Sequence, residues 1–386
     1  MSGSTQHLPG VQSMLAQLVA QPSISSASPE WDHSNEPVVG ILAEWLEPMG
    51  FEVEILDVPG MPGKVNMIAT LGRGSGGLVL AGHTDTVPFD DKRWQSDPFQ
   101  LSERDNRWYG LGTCDMKGFF PLAIEAAKAF VGQKLQQPLI ILATADEESS
   151  MNGARALAEA GRPEARYAVI GEPTGLKPVR MHKGIMMERL VFEGQSGHSS
   201  DPGLGRNALE GMHEALGHLL ALRSGWQEQY SNPNFRVQVP TLNLGCIHGG
   251  DNPNRICARC ELQFDLRPLP GMDMDALRQS ILKSLQPVAD SRGLTMEFAP
   301  LFDGVPPFET AEDAELVRVC EKLTGHTAEA VAFATEAPWL QKLGLETLVM
   351  GPGSIDQAHQ PDEFLALSQL DPAISILQGL IRRFCL

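Results

Sequence analysis

Leu78-Val79-Leu80-Ala81-Gly82-His83-Thr84-Asp85 carries an apolar run straight into a histidine and an acid. The same design returns in Leu139-Ile140-Ile141-Leu142-Ala143-Thr144-Ala145-Asp146-Glu147-Glu148 and in Ala168-Val169-Ile170-Gly171-Glu172. It returns again in Thr347-Leu348-Val349-Met350, which enters Gly351-Pro352-Gly353 and then His359. Short, continuously apolar runs of this kind read as strands buried on both faces. Helical spacing separates them. Val38, Ile41, Leu42, Trp45 and Met49 share one face, and 119–130 reads as a helix opening just after Asp115. Strands alternating with amphipathic helices predict an α/β fold, a mostly parallel sheet flanked by helices. Such sheets bind ligands beyond the carboxyl ends of their strands, and here those ends carry His, Asp and Glu.

The middle of the chain changes rhythm. Residues 184–193 read as a strand and 206–230 as a long helix, with Leu209, Met212, Leu216, Leu219 and Leu220 on its buried face. Two strands follow at 239–247 and 255–266, then a helix from 273 to about 287 carrying Leu277, Ile281 and Leu285, and a last strand at 294–298. The order β-α-β-β-α-β is the ferredoxin-like arrangement. Pro- and Gly-bearing segments at 173–178 and 300–307 bracket it. The expected organisation is therefore a catalytic domain in two parts, 1–178 and 303–386, with an inserted domain at 179–302.

Composition narrows the function. The 386 residues hold 48 Asp and Glu against 30 Lys and Arg, a net charge of −18. Such a chain repels phosphate backbones and anionic lipid, which argues against nucleic-acid and membrane partners. No apolar run approaches the roughly 18 residues of a spanning helix, and residues 1–20 lack the basic and apolar segments of a secretory signal. Six scattered cysteines do not make a disulfide framework. The expected address is the cytoplasm.

Three signals that resemble chemistry have simpler readings. Gly72-Arg73-Gly74-Ser75-Gly76-Gly77 looks like a phosphate cradle, but a strand follows it where a helix is required, so it reads as a hairpin turn. Cys257 and Cys260 form a CxxC on a predicted strand, where residues three apart face opposite ways and cannot share a metal. Gly194-Gln195-Ser196-Gly197-His198 ends in His where a nucleophile elbow needs Gly. Cys114, beside Asp115, is open between a core thiol and a modest regulator of the site.

The polar residues at the strand ends are His83, Asp85, Asp115, Glu147, Glu148, Glu172 and His359. Gathering five carboxylates in one cleft is prohibitive unless cations sit among them. Imidazoles with carboxylates suit zinc, and two His with three carboxylates can hold two ions. Three carboxylates and one hydroxide balance two divalent charges. Asp85, two residues past His83, is placed to accept that ring's other N–H. Glu147 is then surplus to ligation, the position of a general base.

These residues resemble a known family. The blocks Gly82-His83-Thr84-Asp85-Thr86-Val87-Pro88, Gly112-Thr113-Cys114-Asp115-Met116-Lys117-Gly118, Asp146-Glu147-Glu148, Gly171-Glu172-Pro173 and the late His359 are similar, in order and spacing, to the co-catalytic di-zinc exopeptidases and deacylases. The resemblance spans nearly the whole chain. It implies that His83 and Glu172 bind one zinc, Glu148 and His359 the other, and that Asp115 bridges them. It also implies that Asp85 orients His83 and that Glu147 is the base. Cobalt is a possible replacement for zinc. Gly197-His198-Ser199-Ser200 resembles the family's lid motif, implying a homodimer in which His198 reaches the partner's active site to stabilise an oxyanion. Asn254 and Arg267 resemble contacts to a substrate carboxylate, set against plain readings as a turn residue and a surface ion pair.

The blocks Thr335-Glu336-Ala337-Pro338, 351–363 and 249–272 draw the resemblance toward members that deacetylate N-acetylornithine. Desuccinylation of succinyl-diaminopimelate, or a broader aminoacylase or dipeptidase activity, is the alternative on the same site; a non-catalytic metal-binding or amino-acid-sensing protein is the remote one. An N-acylated amino acid is thus the implied small-molecule partner, with Glu336 the candidate for its side-chain ammonium and Gly353 a further substrate contact.

Overall fold

In the computed structural model, which describes residues 8–90 and 92–386, the principal strands in chain order are β1 (Glu52–Asp57), β2 (Val65–Leu71), β3 (Leu78–His83), β4 (Leu139–Thr144), β5 (Tyr167–Pro173), β6 (Met186–Glu193), β7 (Thr241–Gly249), β8 (Arg259–Arg267), β9 (Thr295–Pro300) and β10 (Glu346–Gly351). The chain divides into two compact units. One runs to Arg180 and resumes at Thr310–Glu329 and Thr335–Leu386; the other is Met181–Glu309 with Ala330–Ala334.

In the first unit the strands lie in the order β1-β2-β4-β3-β5-β10. Every residue of β3, β4 and β5 is buried, as their unbroken apolar runs require. The parallel arrangement is confined to the four central strands β4, β3, β5 and β10. At one side β1 and β2 run antiparallel, and at the other Val179 pairs antiparallel with Val349. The expected mostly parallel sheet is therefore correct at its centre and too broad at its edges. The Gly72–Gly77 segment is also not a hairpin turn: β4 lies between the two strands it joins, so it is a crossover. Helices Glu36–Leu46, Phe119–Lys128 and Leu370–Cys385 bury Leu42, Phe120 and Leu380 in one core with Met67, Leu80 and Ile141 of the sheet.

The second unit is a four-stranded antiparallel sheet in the order β7-β8-β6-β9. With helices Ala208–Gln229 and Met274–Arg292 this is the ferredoxin-like topology expected from the element order. Asn207 and Asp273 cap the two helices by accepting the Leu209 and Ala276 N–H groups. Two details depart from expectation. Leu209 is 47% exposed, because the buried stripe runs through Ala208, Met212, Ala215 and Leu219, one residue out of phase with it. The second helix also passes Pro287 and ends at Gly293. Val288 and Ala289 extend the stripe of Leu277, Ile281 and Leu285, and their burial outweighs the hydrogen bond that proline forgoes.

The ends of the second unit lie side by side. Met181 and His182 pair antiparallel with Glu309 and Phe308, and just outside them Thr310 N–H donates to Arg180 O at 2.8 Å. Among the described residues no helix is long and apolar enough to cross a membrane.

Candidate metal centre

β3, β4, β5 and β10 are parallel neighbours, so their carboxyl ends open on one side of the sheet. His83 ends β3, and its register partner across the sheet is Thr144, the last residue of β4. Glu147 and Glu148 follow just past β4, Glu172 is next to last in β5, and His359 lies in the loop beyond β10. Glycine precedes Glu172 for a steric reason: a Cβ on Gly171 would lie 2.2 Å from the Phe119 ring. Asp146 and His359 hold left-handed backbones, with φ of 64° and 60°, a conformation few side chains adopt without surrounding constraint.

The Asp115 loop is held from below by an acid that sequence reading did not assign. Glu363 is buried. Its Oε1 accepts the Cys114 and Asp115 N–H groups at 2.7 and 3.0 Å, and its Oε2 accepts Gly112 N–H at 3.1 Å. Lys117 anchors the loop on the other side by donating to Leu18 O and Gln21 O. Glu363 stands within the Gln360-Pro361-Asp362-Glu363 block, so the signal was an acid next to a site loop with no role given to it.

The structure brings His83, Asp115, Glu147, Glu148, Glu172 and His359 together. Ligand atoms of His83, Glu147 and Glu172 all lie within 4.8 Å of one another, as do those of His83, Asp115 and Glu148. His83 Nε2 stands 3.0 Å from Asp115 Oδ1 and 3.8 Å from Glu172 Oε1. His359 Nε2 stands 3.0 Å from Glu148 Oε2 and 3.6 Å from Asp115 Oδ2. Asp115 thus faces both imidazoles, one with each oxygen. His83 Nδ1 donates to the main-chain carbonyl of Asp85 at 3.0 Å, and the Asp85 carboxylate is farther off at 3.6 Å. The carboxylate accepts Glu148 N–H at 3.1 Å instead.

This arrangement fits bound cations. With Nδ1–H committed to a carbonyl, neutral His83 presents Nε2 as a bare lone pair, and that lone pair faces two carboxylates. A cation between them resolves the conflict. Four ligand atoms on a tetrahedral zinc at about 2.0–2.1 Å would stand about 3.3 Å apart, and the separations of 3.0–3.8 Å bracket that value. Glu148 Oε1 is buried with no hydrogen-bond partner among the described residues, and so is available as a ligand. Without cations the cluster is frustrated. Burial, then repulsion from Asp115, pushes Glu148 up to about 7 and Glu172 well above the usual carboxylate range. Burial also raises Glu147, against the pull of His83. His83 itself is pulled down by burial, yet the Asp115 hydrogen bond and neighbouring acids hold it well above the usual imidazole range. Glu148 raises His359 to about 9.

Other predicted residues fall as follows. Glu336 is buried; Thr144 donates to its Oε2 at 2.8 Å and its Oε1 has no partner among the described residues. Burial pushes its carboxyl up to about 7. Gly353 has φ of 92°, and a Cβ there would lie 2.4 Å from Cys114 Sγ. Cys114 is buried. In the second unit, His198 and Arg255 form an isolated β-bridge, and Ser199 N–H donates to Asn254 O at 3.1 Å. His198 is exposed, and its Nδ1 accepts Ser200 N–H at 3.2 Å, which leaves Nε2–H as a free donor. Arg267 Nε contacts both Asp265 oxygens at 3.0 Å. Cys257 and Cys260 are free, buried thiols in the hydrophobic core of that unit.

Comparison with known proteins gives a coherent picture. The sequence profile of peptidase family M20/M25/M40 matches residues 79–383. A protein of Photorhabdus laumondii subsp. laumondii described as acetylornithine deacetylase is 50% identical over 379 residues, covering 98% of this chain and 98% of its own. One from Edwardsiella ictaluri, described likewise, is 51% identical over 378 residues with the same coverage. Among solved structures, an M20 family metallo-carboxypeptidase, Sso-CP2 from Sulfolobus solfataricus, superposes with a TM-score of 0.74 over 97% of this chain and 99% of its own, at 17% identity. It shares the fold.

Proposed function

Since the chain belongs to peptidase family M20/M25/M40 and is a metal-dependent hydrolase, we propose that it removes the acetyl group of N-acetylornithine, yielding ornithine and acetate, as a step of arginine biosynthesis. What carries this reading is half-identity over essentially the whole chain to proteins described as acetylornithine deacetylases, joined to the acid–imidazole cluster at the strand ends. In this reading His83 and Glu172 hold one divalent cation, Glu148 and His359 a second, and Asp115 both. The ions are zinc, with cobalt able to substitute. When bound, they supply Lewis acidity that polarises the acetyl carbonyl and acidifies a water.

The rest is the work of the chain. Glu147 takes the proton of the attacking water and hands it to the departing α-nitrogen. Its carboxylate lies within 4.8 Å of the His83 and Glu172 ligand atoms, close enough to reach a water held among them. Asp85 fixes the His83 tautomer through its carbonyl. His198, from the partner of a homodimer, offers Nε2–H to the developing oxyanion. The two Arg267 amino groups, with no partner among the described residues, grip the α-carboxylate as a fork, aided by Asn254; Gly353, whose N–H is given to Gln369 Oε1, contacts the substrate through its bare Cα. Glu336 Oε1 accepts from the side-chain ammonium.

The test is metal content measured together with hydrolysis of N-acetylornithine, N-acetylmethionine and succinyl-diaminopimelate. About two divalent ions per chain and a clear kcat/KM preference for N-acetylornithine are expected. Preference for the succinyl substrate, or equal use of all three, overturns the substrate assignment; metal-independent turnover overturns the mechanism.

A further inference from the structure

The first unit holds a cavity of about 340 Å3 that shares no residue with the acid–imidazole cluster and is walled by rings. Ile24, Glu30, Trp31, His33, Phe89 and Phe99 line it, with Pro22 at its edge. Phe89 stands perpendicular to both aromatic neighbours, at 6.4 Å and 89° to Trp31 and at 5.2 Å and 88° to Phe99. Trp31 is 47% exposed, so a large aromatic surface is left open. Buried ring contacts contribute to stability, but nothing in folding requires an indole to be left open beside them.

The polar lining points to one ligand charge. Glu30 is exposed, and its carboxylate has no partner among the described residues, whereas nearby Asp32 is engaged by Lys64 at 2.7 Å. No lysine or arginine lines the cavity; its other polar side chain is His33, whose Nδ1 is buried with no hydrogen-bond partner among the described residues. Aromatic faces present negative quadrupole density, and a free carboxylate adds to it. The three rings and the Glu30 carboxylate repel an anion. A purely apolar ligand leaves the carboxylate unused.

The cavity also has a defined place in the fold. Ile24 bridges to Thr86 in parallel, and Ser23 Oγ donates to Thr84 O at 2.6 Å, so its wall follows the segment leading away from His83. We propose that Glu30, Trp31, Phe89 and Phe99 form a binding site for the alkylammonium group of a small organic cation, separate from the metal ligands.

Choline and its neutral isostere 3,3-dimethylbutan-1-ol are the probes, titrated into the full chain while Trp31 fluorescence is read as wild type minus Trp31→Phe. A saturable choline signal is expected, with the isostere at least about fivefold weaker, in line with a cation–π preference of roughly 1 kcal/mol or more. Glu30→Gln should weaken choline severalfold and leave the isostere unchanged; Phe89→Leu should weaken choline as well. Equal affinity for both probes would mark an apolar recess only and overturns the proposal. So does an unsaturable choline response, or insensitivity of choline binding to Glu30→Gln. The titration involves no turnover, so its result is independent of the deacetylation assay.

Discussion

Replacing Glu363 by Ala is expected to release the Asp115 loop, and the size of the effect follows from the three hydrogen bonds it accepts. Gly112, Cys114 and Asp115 each donate a main-chain N–H to its buried carboxyl group. A buried donor stripped of its partner costs about 1–3 kcal/mol. Three neighbouring losses are not additive, which brings the total to roughly 3–6 kcal/mol, a large part of the ~5–15 kcal/mol that holds a typical domain together. Glu363→Gln keeps one oxygen for the Cys114 and Asp115 donors and turns an amide group on Gly112 N–H, so its cost is about one such loss. Urea unfolding of the metal-stripped proteins measures the ordering wild type, then Gln, then Ala. Hydrogen exchange localises it, since the amides of Gly112, Cys114 and Asp115 should lose protection before the strands do. Metal affinity should fall in the same order, because Asp115 is presented by the loop that Glu363 holds. An Ala variant within about 1 kcal/mol of wild type, with those amides still protected, would refute the reasoning.

Glu147→Ala should lower kcat by several orders of magnitude while metal content stays near that of wild type. Because Glu147 also lies within reach of His83 and Glu172, loss of metal would instead identify it as a ligand. His198→Ala should reduce kcat, and a mixed dimer of His198→Ala with Glu147→Ala should regain part of the activity; near-normal turnover of the single variant excludes the oxyanion role. Gly353→Ala combines an unfavourable φ with a Cβ 2.4 Å from Cys114 Sγ, and should cost about 2 kcal/mol or more; adding Cys114→Ala should recover only the steric part, as unfolding midpoints will tell. Glu315 is held below the usual carboxylate range by the Tyr167 hydroxyl at 2.5 Å, with Arg383 and Arg166 contributing. Its stabilising effect is present above the ordinary glutamate pKa and is lost as pH falls through the lower folded value, so the gap between wild type and Glu315→Gln should narrow in acid when both are unfolded without metal.

The sequence made the strand ends legible because each pairs an uninterrupted apolar run with a polar residue that a buried strand cannot otherwise place. The inserted topology was readable from element order alone, since a β-α-β-β-α-β chain has few ways to cover one sheet face. Sheet edges were not. β1 and β2 carry no local mark of direction, which is set by which neighbour each strand meets. Glu363 escaped for a different reason, lying some 250 residues from the amides it holds, a separation over which no periodicity operates. Asp85 was placed correctly beside His83, but a two-residue spacing does not distinguish a carboxylate from the carbonyl of the same residue, and the carbonyl is the nearer acceptor.

The chain leaves for the second unit at Arg180 and returns at Thr310 as hydrogen-bonded neighbours. For the sheet, the excursion between them is topologically equivalent to a tight turn, and the loop-closure cost grows only slowly with whatever length is interposed. A scaffold spliced in this way can exchange its appended module without disturbing the strand ends that carry His83, Glu147, Glu148 and Glu172. Replacing 182–308 by a short connector should therefore leave a folded, metal-binding remnant that has lost His198 and Arg267.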